Sequence, residues 1–183
     1  MTWDFEAEQA LLSRYFPSEV LSKAGKGGGL WMMARILERM GEDPLTLVGR
    51  QLRVTCAPSF EGVMCVRVHE ADEELHLTAI LGDEDGDIPQ VTTRKSLDQG
   101  AWNDLWQSVR ASGLAEMSVT APQMGTDGEF WLIEVTHEEK WHAVHRWSPD
   151  IPGPEAEFLR FGVGVLTRGG FGERVEGWLT EES

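Results

Sequence analysis

Histidine and glutamate, the side chains that bind metals and transfer protons, are concentrated between Asp127 and Pro149. This segment holds three of the five histidines in the chain. Imidazole and carboxylate groups are the usual ligands of catalytic zinc, and a metal held by them would support metal-assisted hydrolysis. The candidate ligands are Glu134, His137, His142 and His145.

Whether these ligands converge depends on the register of the hairpin that the segment predicts. If Glu139 and Lys140 form the turn, His137 faces His142. If the turn lies one residue earlier, His137 pairs with Lys140. Neither register brings three of the four candidates together. We therefore predict no metal and no cofactor, and we expect ordinary strand histidines.

Acidic residues cluster at predicted turns, and the chain carries 31 of them against 16 basic residues, for a net charge of −15. Such a field repels nucleic acids and anionic membranes, so neither is an expected partner. It attracts basic proteins, although it would equally keep a cytosolic protein soluble. The candidate binding residues, with a tryptophan as anchor, are Glu70, Asp72, Glu73, Glu74, Asp83, Glu84, Asp85, Asp87, Glu138, Glu139 and Trp141.

Motifs for catalysis or cation binding are incomplete. The alternating aspartates of residues 83–87 resemble the start of a calcium loop, but Ile88 and Arg94 stand where that loop needs glycine and glutamate. The run Gly25–Gly29 lacks the Gly-Lys-Ser/Thr ending of a phosphate-binding loop, so we interpret it as a flexible connector. No Gly-x-Ser-x-Gly nucleophile motif occurs.

The expected location is the cytoplasm. Asp4, Glu6 and Glu8 stand where a secretory signal would be positively charged, and no apolar run is long enough to span a membrane. Cys56 and Cys65 lie in apolar, strand-like sequence. In a reducing compartment they are expected to be buried thiols rather than a disulfide.

Hydrophobic periodicity predicts one domain, residues 1–183. Its parts are an N-terminal helical part (about 1–44), a strand meander (about 50–95), a helix (about 97–112), a hairpin (about 130–147) and a C-terminal helix followed from residue 169 by an irregular tail (about 155–183). Short connections rich in glycine, proline and acids favour antiparallel pairing. The prediction is an α+β fold with an antiparallel sheet of about six strands and helices packed on one face.

The second half of the chain resembles an arrangement found in small, uncharacterised bacterial proteins. The resemblance rests on a tryptophan-rich helix followed by two short motifs: Leu97, Trp102, Leu105, Trp106, Asp127-Gly128, Phe130-Trp131, Glu134, Val144 and Arg146-Trp147-Ser148-Pro149. It implies a bacterial source. It implies no activity and assigns no functional residue.

The functional hypothesis from sequence is a non-enzymatic protein that binds a basic protein, such as an immunity protein or antitoxin that neutralises a basic toxin. Its basis is the acidic charge together with the missing catalytic motifs. Two alternatives stay open. One is a metal-assisted hydrolase that uses the hairpin histidines, and the other is a subunit of a larger assembly.

Overall fold

The computed structural model describes residues 5–24, 29–46, 49–71, 74–83, 89–121, 127–149, 153 and 155–179. Its helices are α1 (Phe5–Tyr15), α2 (Ser18–Ala24), α3 (Gly29–Arg39), α4 (Gln99–Ala111), α5 (Ala156–Leu166) and α6 (Gly172–Val175). Its strands are β1 (Gln51–Pro58), β2 (Met64–Ala71), β3 (Glu74–Leu81), β4 (Gln90–Leu97), β5 (Glu129–His137) and β6 (Lys140–Trp147). Short 3-10 turns lie at Leu114–Glu116 and Glu176–Leu179. The predicted α+β class is confirmed.

The strands form one antiparallel sheet in the order β4-β3-β2-β1-β5-β6. Strands β1 to β4 make the predicted meander, and β5 pairs with the free side of β1 before β6 completes a hairpin. Because successive strands reverse direction, the β2–β3 and β5–β6 turns lie at one end of the sheet. We call this the hairpin end. The β3–β4 connection lies at the opposite end.

Helices cover both faces of the sheet, so the prediction of helices on one face was wrong. Helices α1 to α3 pack on what we call the N-terminal face, around residues such as Leu37 and Leu132. Helices α4 to α6 pack on the C-terminal face, around Trp102 and Trp131. The order of elements along a chain does not fix the side of a sheet to which each helix returns.

Strand β1 shows the consequence of this double cover. Leu52 and Val54 point to the C-terminal face, while Arg53 and Thr55 point to the N-terminal face, since successive strand side chains alternate. All four are 0% exposed. An alternation of polar and apolar residues, which usually indicates one face in water, here places a charged side chain under a helical layer.

The two cysteines are buried free thiols, as the sequence predicted. Cys65 is the cross-strand neighbour of Thr55 on the N-terminal face, whereas Cys56 points to the C-terminal face. The sheet therefore separates the two sulfur atoms. Burial raises the pKa of both thiols, which keeps them protonated and unreactive at neutral pH.

Residues 169–179 are helical, and the apolar side chains among them pack against the core, so the prediction of an irregular tail was wrong over this range. A wide turn, Thr167–Phe171, follows α5, and Gly170 permits it with a φ of 98°. Phe171 and Val175 are 4% and 0% exposed. The glycines lower helix propensity, but burial of these apolar side chains outweighs that cost.

Candidate functional site

The β5–β6 hairpin closes with a two-residue turn, Glu138-Glu139. His137 pairs with Lys140, which is the second of the two registers that the sequence allowed. Both glutamates have left-handed backbone, with φ values of 49° and 60°. Glycine and asparagine are the usual residues in such a turn, so two consecutive glutamates there are unusual.

The alternation of side chains along β5 and β6 divides the candidate metal ligands between the two faces of the sheet. Glu134 and His145 lie on the N-terminal face, while His142, opposite Val135, lies on the C-terminal face. His137 also lies on the C-terminal face, with its ring centroid 4.9 Å from that of Trp106. Within the described ranges, no three histidine, cysteine, aspartate or glutamate side chains come together in a way that would hold a metal.

His145 is instead a packed core residue. It is 3% exposed, its ring lies 5.7 Å from the ring of Phe130, and it fills the space beside the backbone of Gly29 at the start of α3. Burial, aided by the neighbouring Arg146, lowers the pKa of His145 to about 4. The imidazole is therefore neutral at physiological pH.

A groove of about 780 Å³ opens beside the turn at the hairpin end. Trp106 of α4 and Trp141 of β6 approach it from opposite faces of the sheet, so it runs around the edge that β6 forms. The carboxylates of Glu138 and Glu139 border it. The remaining lining residues are Pro17, Glu19, Lys23, Val109, Arg110, Ala115, Val135, His137, Lys140 and His142.

Two polar atoms in the lining of this groove are buried without a hydrogen-bond partner in the described part of the chain: Nε1 of Trp141 and Nε2 of His142. Burial lowers the pKa of His142, against a hydrogen bond with the backbone of Leu114. A neutral imidazole and an indole N–H can both bond to polar groups of a docked molecule. The groove thus combines apolar walls with unused hydrogen-bonding groups, as binding sites do.

The other acidic candidates are spread over both ends of the sheet. Glu70 and Glu74 lie at the hairpin end, but β1 and its neighbours separate them from the β5–β6 turn. Asp83 is exposed at the opposite end. Five further candidates (Asp72, Glu73, Glu84, Asp85 and Asp87) fall outside the described residues, as do residues 25–28 of the glycine-rich connector.

A polar cluster on the N-terminal face is the feature that sequence reasoning missed. Strand pairing places Arg67 of β2, Arg53 of β1 and Glu134 of β5 in one row across the sheet. The adjacent row is formed by His69 of β2, Gln51 of β1 and Thr136 of β5, and it is also polar. We define the polar cluster as Glu42, Gln51, Arg53, Arg67, His69, Glu134 and Thr136.

Arg53 is the centre of this cluster and is 0% exposed. Its Nε donates to Oε2 of Glu134 over 2.6 Å, and its Nη1 donates to the carbonyl oxygen of Asp43 over 2.7 Å. The hydroxyl of Tyr15 donates to the carbonyl oxygen of Glu42 over 2.9 Å. These bonds fasten the segment after α3, and with it the N-terminal helices, to the centre of the sheet.

Burial raises the pKa of Glu134, and the ion pair with Arg53 opposes that rise. The direct 2.6 Å contact favours the ionised pair, because a guanidinium does not lose its proton in proteins. Several atoms of the cluster have no hydrogen-bond partner within the described residues. They are Oε2 of Glu42, Nη2 of Arg53, Nε of Arg67, Nδ1 of His69, Oε1 of Glu134 and Oγ1 of Thr136.

The sequence carries one signal for this cluster. Gln51, Arg53 and Thr55 alternate with apolar residues in the first strand of the meander. Glu134 and Thr136 do the same in the strand after residue 128. If both strands were central in the sheet and covered by helices, these residues would have to pair with one another. The order of the strands in the sheet makes β1 and β5 central, and that order cannot be read from the sequence alone.

No protein-family model matches the chain, and no curated protein matches it. The resemblance of its second half to small bacterial proteins therefore stays a prediction. In the described ranges, no helix is both long enough and apolar enough to cross a membrane.

Proposed function

We propose that this chain is a non-enzymatic protein that binds a basic partner protein in the groove at the hairpin end. The observation that supports this best is that Trp141, Glu138 and Glu139 border the same groove as Trp106. Aromatic side chains in a partly enclosed, apolar depression are the usual energetic centre of a protein interface. The carboxylates at its border would face lysine or arginine residues of the partner.

Long-range attraction supports the same proposal. A net charge of −15 raises the rate at which a positively charged protein meets this one. Acidic groups away from the groove, such as Glu70, Glu74 and Asp83, would act in this way without contact. The basic residues that also line the groove, among them Lys23 and Arg110, would select for a partner that offers some acidic groups as well.

The conformation of the turn favours a functional role for its glutamates. Left-handed backbone costs roughly 1 to 2 kcal/mol for a residue with a side chain. Asn-Gly would form the same turn with less strain. Strained backbone is concentrated at functional sites, where the position of the side chain is needed for function. We infer that Glu138 and Glu139 occupy the turn for their charge at the groove.

The proposal is tested by capture from a lysate of the source organism with two forms of the protein. One is the wild type, and the other is Glu138→Asn/Glu139→Gly, which removes both charges and relaxes the turn. A partner bound through the groove should be retained by the wild type and lost or weakened by the variant. With the purified partner, association with the variant should be roughly tenfold slower at low salt.

A matched control removes the same charge elsewhere. Glu61 and Glu173 are exposed and lie away from the groove, so Glu61→Gln/Glu173→Gln should leave the captured partner bound. Equal loss in both double variants would mean that overall charge alone causes the binding. Capture by the Asn-Gly variant at wild-type strength would contradict the groove as docking surface.

In its most specific form, the proposal is that the partner is a basic toxin and that this chain is its immunity protein or antitoxin. The partner expressed alone should then stop growth of the host cell, and coexpression with the wild type should restore growth. Coexpression with the Asn-Gly turn variant should restore it less. A partner that is harmless alone would contradict the toxin-neutralising form while leaving the docking proposal intact.

A further inference from the structure

Strand β4 forms one edge of the sheet, and a row of its backbone groups faces away from β3. Gly82, directly after β3, donates its N–H to the carbonyl oxygen of Val63 on the β2 side. Even-numbered residues of β3 therefore bond to β2 and odd-numbered residues bond to β4. The register then turns the N–H and C=O groups of Lys95 towards β3 and those of Arg94 and Ser96 away from the sheet.

This edge is open to solvent. Arg94 and Ser96 are exposed, and Val91 is 53% exposed. In the described part of the chain, no backbone group bonds to the outer side of β4. An open row of N–H and C=O groups is a template on which a segment of another chain can form a strand.

Basic side chains lie beside this edge on the N-terminal face. Strand pairing aligns Arg67 of β2 with Arg94 of β4, and His69 of β2 with His76 of β3. The two histidine rings are 5.8 Å apart. Helices α2 and α3 contact β5 and β6 at the other side of this face, and the side chain of His76 is 29% exposed. We call these four residues the basic shelf.

The basic shelf is unusual in a chain with a net charge of −15. Burial, and then the neighbouring cations, of which Arg67 acts most strongly, lower the pKa of His69. Two acids approach the shelf: Glu42 lies 3.9 Å from Arg67, and Glu74 lies 3.9 Å from His76. Strand β4 itself contains two basic residues and no acidic one. A carboxylate that reaches this edge therefore meets positive charge.

A second copy of this chain does not fit the edge. Antiparallel pairing of two β4 strands would place Arg94 opposite Arg94 when it is centred there, and Lys95 opposite Lys95 when it is centred one residue later. Like charges directly opposite each other destabilise strand pairing. Charged side chains on an edge prevent such self-association. The same two residues favour a strand that has acidic residues at the facing positions.

We propose that β4 binds an extended acidic segment of a partner protein, which joins the sheet as an additional antiparallel strand. An acidic residue opposite Arg94 lies over the basic shelf, and an adjacent one faces Lys95 on the C-terminal face. Lys95 donates to the carbonyl oxygen of Arg168 over 3.0 Å and has two further N–H groups to offer. Backbone bonds to Arg94 and Ser96 supply affinity, and the side chains supply specificity.

This site lies at the opposite edge of the sheet from β6 and the hairpin-end groove, and it does not depend on the docking proposal. The probe is a capped synthetic peptide of alternating threonine and valine with two central glutamates, and its control has two lysines there. Both are measured with the full chain by fluorescence anisotropy in about 150 mM sodium chloride, where a screening length of about 8 Å limits repulsion from distant acids. The glutamate peptide should bind at least roughly tenfold more tightly.

Single N-methyl groups on the peptide test strand formation. In the antiparallel register, the second glutamate pairs with Arg94 and points its N–H at β4, whereas the N–H of the first points to solvent. Methylation of the second should weaken binding roughly tenfold, and methylation of the first should leave it unchanged. On the protein, hydrogen exchange of the Arg94 and Ser96 amides should slow on binding, and that of the Lys95 amide should change least.

Three variants locate the site. Arg94→Gln should weaken binding of the glutamate peptide roughly fivefold. Arg160→Gln, on an exposed arginine of α5, removes the same charge and should leave the affinity unchanged. The turn variant Glu138→Asn/Glu139→Gly should also bind the peptide as the wild type does, so failure at one site is distinguishable from failure at the other.

Four results would overturn the proposal. The first is that the glutamate peptide does not bind at about 1 mM, or binds no better than the lysine peptide. The second is that both methyl groups have equal effects, since charge would then act without strand formation. The third is that Arg160→Gln weakens binding as much as Arg94→Gln. The fourth is that exchange of the Arg94 and Ser96 amides slows with protein concentration alone, which would mean that a second copy covers the edge.

Discussion

At the scale of single residues, Arg53 joins three parts of the chain: its own strand, Glu134 of β5 and the carbonyl of Asp43 after α3. Replacing it with methionine leaves the carboxylate of Glu134 buried without a counter-charge. We expect the free energy of unfolding to fall by roughly 3 to 5 kcal/mol. Urea unfolding followed by tryptophan fluorescence measures this change.

The double variant Arg53→Met/Glu134→Leu separates two contributions to the free energy of unfolding: the penalty for an unpaired buried carboxylate and the net stabilisation by the ion pair. Because both charges are then absent, we expect it to regain most of the lost stability, short of about 1 kcal/mol for the unpaired carbonyl of Asp43. A double variant as unstable as Arg53→Met would instead show that the ion pair, rather than its desolvation, governs stability here.

His145 predicts a pH dependence. Its pKa is about 4 in the native state, below the ordinary value of 6.5, so between these values the unfolded chain binds a proton that the native chain does not. Stability should therefore fall as the pH drops through this window, by up to roughly 3 kcal/mol from this residue. In His145→Gln, the free energy of unfolding should change less with pH between about 6.5 and 4. Equal slopes in both proteins would contradict this.

At the scale of elements, helix α5 offers a matched pair of glycines. A Cβ at Gly162 would lie 2.7 Å from Cζ3 of the fully buried Trp131, whereas a Cβ at Gly164 would meet nothing nearer than 3.6 Å. We expect Gly162→Ala to destabilise the protein by about 1 to 3 kcal/mol through overpacking. Gly164→Ala should stabilise it by up to about 1 kcal/mol, since alanine favours the helix. Equal effects of the two substitutions would refute the close packing of α5 on Trp131.

The elements themselves were largely predictable, because hydrophobic period and turn residues are local signals. The meander, the hairpin and the five longer helices follow from them. The packed turn at Thr167–Phe171 was not predictable in the same way, since its stability comes from burial of Phe171 against distant strands. Likewise the hairpin register, which pairs His137 with Lys140 rather than with His142, depended on a turn of two glutamates that local preference does not favour.

At the scale of the whole molecule, the surface has an excess of negative charge, whereas the buried charges are paired. The chain has a net charge of −15, and most of the acids that the structure describes are exposed, while the polar cluster keeps arginine and glutamate balanced under the N-terminal helices. Composition predicted the acidic field. It gave no indication of the cluster, because strands that are distant in sequence supply its members: Arg53 and Glu134 are 81 residues apart.

The excess of negative charge also predicts how salt affects folding. Repulsion among exposed acids destabilises the compact state, and raising sodium chloride from about 10 to 150 mM shortens the screening length from roughly 30 to 8 Å. Each 1 kcal/mol gained by screening would raise the thermal midpoint by roughly 2 to 4 °C. The variant Glu61→Gln/Glu173→Gln, with two fewer negative charges, should show a smaller rise, as calorimetry at the two salt concentrations would measure. A midpoint that falls with salt in the wild type would mean that attractive pairs, such as Arg14 with Glu38, outweigh the repulsion.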